Sequence, residues 1–212
     1  IDGGTLELNG TSGGVNQFGG YSSTTAAGDG NLVQINNGST LIISGSTQFA
    51  FNGATFEFDN NGGGTITVAA NNFVNRNTTY VTSGGAQNTI DTATGFRLFN
   101  LDDGEITFDI ADGTTATDLV VSAAMTNPAP IVKTGAGTMS LTGNNTFTGG
   151  VTINNGTLSV DGSGRLANNA DNDIVVNDGG TFVVGRQDLF ANHATSILPQ
   201  ITINSGGTVT NS

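Results

Sequence analysis

The sequence predicts an all-β chain wound as a parallel β-solenoid, a single stack of roughly nine to ten coils with protruding loops. Three observations carry that reading: apolar side chains alternate with polar ones in short runs, Gly and Asn punctuate the runs, and the unit recurs. Residues 131–160 show it best. Met139 and Leu141 flank Ser140, Val151 and Ile153 flank Thr152, and Leu158 and Val160 flank Ser159. A period of two sends one set of side chains to a buried face and the other to water, as in a half-buried strand. Between the last two runs lies Asn154-Asn155-Gly156, residue types that tolerate positive φ and turn the chain sharply.

The unit of strand, corner and strand returns along the chain. VQINNGSTLIISG at 33–45, IVVNDGGTFVVG at 174–185 and ITINSGGTVTNS at 201–212 repeat it, and DGGTLELNG, NGATFEFDN and GGGTITVAA are partial copies near the start. The Thr that follows the corner marks the phase at Thr138, Thr157, Thr181 and Thr208, separated by 19, 24 and 27 residues. Recurrence at roughly 20–50 residues indicates units that cannot bury their own apolar face and must stack on one another.

The same stretch carries a family resemblance. Lys133-Thr134-Gly135-Ala136-Gly137-Thr138, Leu141-Thr142-Gly143, Thr146-Phe147-Thr148-Gly149-Gly150 and Asn155-Gly156-Thr157-Leu158 resemble the passenger-associated strand repeat of bacterial autotransporters. Met139 stands where that family usually has Leu, Phe147 where it has Tyr, and Val151 where it has Thr. The match covers the thirty residues 131–160, with looser agreement over 118–124 and on to Gly185. The resemblance implies a right-handed parallel β-helix in a large exported surface protein. It implies no reaction, since that repeat is structural.

Taken in order, the chain reads as one solenoid domain, 1–212, with three textures. Residues 1–70 are irregular early coils, with strands at Leu6/Leu8, Leu32–Ile35, Leu41/Ile43, Phe49/Phe51, Phe56/Phe58 and Ile66/Val68. The alternating Phe residues should stack between coils about 4.8 Å apart. Residues 71–130 are less regular, with strands at 80–82, 96–99, 106–110 and 119–121, a turn at Asp112-Gly113 and a loop at Asn127-Pro128-Ala129-Pro130. Residues 131–212 are the regular repeat coils. Short helices fit only at 161–173 and 186–198, because Gly, Asn and Thr elsewhere deny any apolar stripe of period 3.6. Loops leave the stack at 11–30, 71–95 and 161–173. Asn side chains at the corners are expected to ladder along the axis.

Composition narrows the function. Gly supplies 33 of 212 residues and Pro only 3, while charged residues are 10 %, a profile of many corners rather than of charge-rich disorder. The net charge of −12 opposes binding to phosphate backbones, so no nucleic-acid partner is expected. The absence of Cys removes disulfides and thiolate metal sites. No run is long and apolar enough to span a bilayer as a helix, so no membrane insertion of this segment is expected. A chain that opens inside one corner motif at Ile1 and closes at Ser212 just after another is expected of a slice from a longer solenoid.

Candidate chemistry is sparse. Asn100-Leu101-Asp102-Asp103-Gly104-Glu105 is the densest acidic cluster; paired carboxylates with a base such as Arg97 could act on polysaccharides, but the stretch reads as a turn. Asp171-Asn172-Asp173 with Asp178 offers oxygen ligands of the kind that calcium takes, although the calcium-binding nonapeptide is absent. Asp29, between two Gly, reads as a turn residue. His193 is the lone histidine, and the elbow motif of a serine triad is missing. Gly62-Gly63-Gly64 precedes no helix, so it fails as a phosphate loop. The sequons at Asn9 and Asn155 follow from how common Asn, Gly and Thr are. The expectation is therefore no catalytic, cofactor or metal site, and a non-enzymatic stalk module at the bacterial surface or outside the cell, of the adhesin type. Expected partners are further copies or neighbouring repeats end to end, or a host or surface glycan or protein met through the loops. The alternatives are an end-to-end filament subunit and a polysaccharide-binding or polysaccharide-cleaving β-helix, disfavoured by the lack of Trp and only 2 Tyr.

Overall fold

The computed structural model describes residues 1–10, 16–18, 32–45, 48–59, 63–69, 72–92, 98–126, 128–190 and 199–212. Every regular element among them is a strand, as the alternation predicts. The strands form three sheets, and the chain visits them in rotation, laying each strand beside its counterpart one coil earlier. The long sheet has nine strands, running from Thr5–Gly10 through Thr40–Gly45, Thr138–Leu141 and Gly156–Val160 to Thr208–Asn211. The second sheet has eight, from Leu32–Gln34 to Ile201–Ile203, and the third has five, from Asn16–Phe18 to Ala124–Thr126. Neighbours pair in parallel, Met139 beside Leu158 and Leu158 beside Phe182 for example. This is a parallel β-solenoid.

Pairing in register converts the alternation into columns of like residues along the axis. One column of the second sheet runs Val33, Phe56, Tyr80, Phe108, Lys133, Ile153, Val176, Ile203. Phe56, Tyr80 and Phe108 stack nearly parallel with ring centroids 5.1 Å apart, the spacing of adjacent strands. Phe51 and Phe73 meet them edge-on, 5.0 Å from Phe51 to Phe56 and 6.0 Å from Phe73 to Phe56. The expected stacking of aromatic residues is thus present, with Tyr80 in the middle. Its hydroxyl donates to Asn75 Oδ1 at 2.6 Å, and burial pushes the phenol well above its ordinary pKa. Each fully buried large side chain of this kind contributes about 1.5–3 kcal/mol.

The corner between the second and long sheets changes along the stack. In the early coils the second sheet carries a further inward position, filled by Ile35, Phe58, Thr82 and Ile110, all buried. In the next coil that register position, after Thr134, is Gly135, with φ 71°, and the corner tightens. Gly156 is where the tight corner leaves no choice: at φ 66° an added Cβ would lie 2.4 Å from Gly135 O and 2.5 Å from Gly137 O. Only a residue without Cβ lets successive corners stack so closely.

Three expectations are corrected. The count of nine to ten coils is too high for turns lined by strands on every side, because the third sheet has five strands. Past Thr126 that side is joined instead by the bridges Asn144–Arg165 and Leu166–Phe190. The expected loop 71–95 is largely structured, holding the strands Asn72–Arg76, Thr79–Thr82 and Asn88–Thr92. No helix forms over 161–173 or 186–190; bends and bridges carry the chain there, and 191–198 lie outside the described residues.

Candidate functional site: the repeat corner

Lys133 points into the core from the middle of the aromatic–aliphatic column and is fully buried. Its ammonium donates to three backbone carbonyls, Thr134 O at 2.6 Å, Gly135 O at 2.8 Å and Asn155 O at 3.2 Å. The side chain fills the corner at the level where the Ile35–Ile110 column gives way to Gly135. Burial lowers its pKa to about 8, against the pull of the Asp109 and Asp118 carboxylates. Asp118, itself buried, accepts from Gly113 N at 2.8 Å and Thr138 N at 2.7 Å, tying adjacent corners together. A lysine committed to three carbonyls and closed to solvent has no approach for a substrate. It is a structural plug.

On the third side, buried Asn residues take over from strands. Asn145 Oδ1 accepts from Met125 N at 3.0 Å, one coil earlier, while its Nδ2 donates to Gly143 O at 2.9 Å. Asn172 repeats the device, accepting from Gly150 N at 3.2 Å and donating to Ala167 O at 3.2 Å. Phe147 is buried beneath, and Gly149 lies so close to the preceding coil that a Cβ would sit 2.0 Å from Pro128 O. Lys133, Gly135, Gly137, Asn145, Phe147, Gly149 and Gly156 are therefore explained by how one coil seats on the next. Residues 131–160 match the family model of the passenger-associated-transport-repeat. Over these thirty residues the chain is similar to a passenger-associated transport repeat. No curated protein and no solved structure matches the chain.

From the end of the matched stretch onward the expected amide ladder appears. Asn177 Nδ2 donates to Asn154 Oδ1 at 2.7 Å, and Asn204 Nδ2 donates to Asn177 Oδ1 at 2.6 Å. The ladder reaches the coil of residues 199–212, where Ile201 is 40 % and Ile203 53 % exposed. At the other end Leu6, in the column of the buried Leu41, is 43 % exposed.

Asp102 and Asp103 belong to the strand Leu98–Asp103, where the register slips between Leu101 and Asp103, and the bend expected there falls at Gly104, φ 66°. The polypeptide forms a bulged strand at the carboxylates rather than a turn. Arg97, His193, Asp29 and Gly62 lie outside the described residues. The oxygen set at 171–173 is divided by its own hydrogen bonds: Asn172 faces inward as above, Asp173 Oδ1 accepts from Gln200 N at 2.7 Å, and Asp171 is exposed. Among the described residues no three His, Cys, Asp or Glu come together as a metal would need. Sequence reading missed Lys133 and Asn145 as buried plugs. The signal was there, a lone Lys in an alternating apolar position after Ile131.

Proposed function

We propose that the chain is a non-enzymatic rigid spacer in the passenger region of an exported bacterial surface protein. The observation that supports this is the unbroken register of the long sheet, whose nine strands make a rod of roughly 40 Å at the usual inter-strand spacing. A passenger-type structural β-helix holds distance and orientation outside the cell and resists cleavage, since proteases require a locally opened chain. Contacts with a host or surface glycan or protein are assigned, on sequence grounds alone, to the polar run at 21–27. An adhesin role would reside there.

The test is export and shape together. Placed ahead of an autotransporter membrane barrel in a bacterial host, the chain should reach the cell surface, where antibody binds it and added protease leaves 131–190 intact. In solution, small-angle scattering should give an elongated particle. Retention inside the cell, or rapid cleavage within 131–190, would overturn the proposal.

A further inference from the structure

We draw no further inference here: the strongest candidate, the outward column of Thr and Val on the second sheet that runs in register from Thr55 through Thr107 and Val132 to Thr202, is an unpartnered sheet face, and nothing in the structure shows what covers it.

Discussion

At the scale of single residues, Lys133 makes the sharpest statement about what the corner needs. Its ammonium is held by three carbonyls in a site where burial brings its pKa down to about 8 from the ordinary 10.5. The sign of the linkage follows. Between those two values the unfolded chain holds the proton and the folded chain has released it, so stability rises with pH across that window. Denaturant melts from pH 7 to 10 should show the wild type gaining on Lys133→Met; a difference that narrows would mean that the folded state holds the proton more tightly than supposed. Gly156 makes a different demand. Gly156→Ala puts a methyl group within 2.4 Å of Gly135 O at φ 66°, and a loss of about 2–4 kcal/mol is expected in the same melts. At Asn145, replacement by Leu would strand Met125 N and Gly143 O, a loss of about 1–3 kcal/mol for each buried group left unpaired.

At the scale of strands and columns, the aromatic stack concentrates packing in the early coils. Tyr80 lies between Phe56 and Phe108, so Tyr80→Ala opens a cavity touching both and leaves Asn75 Oδ1 without its hydroxyl donor. A cost of about 3–5 kcal/mol by chemical unfolding is the expectation, with Tyr80→Phe losing only the hydrogen-bond part. This is also the scale at which the sequence was most legible. Strands such as Thr138–Leu141 and Thr55–Phe58 announce themselves by alternation, because each places two apolar side chains inward. Asn88–Thr92 does not: NTIDT has Ile90 as its one aliphatic inward residue and Asn88 beside it, so polar composition suggested a loop. Asp102-Asp103 misled in the opposite sense. The following Gly drew the turn two residues early, whereas the strand absorbs the pair as a bulge. Where the third sheet ends could not be read, since past Thr126 isolated bridges and the side chains of Asn145 and Asn172 join the coils and leave no alternation behind.

At the scale of the whole molecule, stability belongs to stacked neighbours rather than to any one coil. Hydrogen exchange should therefore be graded along the axis. Amides of 201–211 and 5–8 should exchange first and those of 131–160 last, and uniform protection from end to end would argue for a single all-or-none unit instead. The stretch 131–160 sits where the long and second sheets are both covered from above and below, a placement that suits the most regular part of the sequence.

The bridged flank past Thr126 has a mechanical corollary. Two walls of the later coils are laced by full ladders, while the remaining wall is joined by bridges at Asn144–Arg165 and Leu166–Phe190. Pulled sideways, such a beam yields about the seam and holds against the other directions. The part carrying 131–190 would flex like a hinge-backed book spine, opening toward that flank.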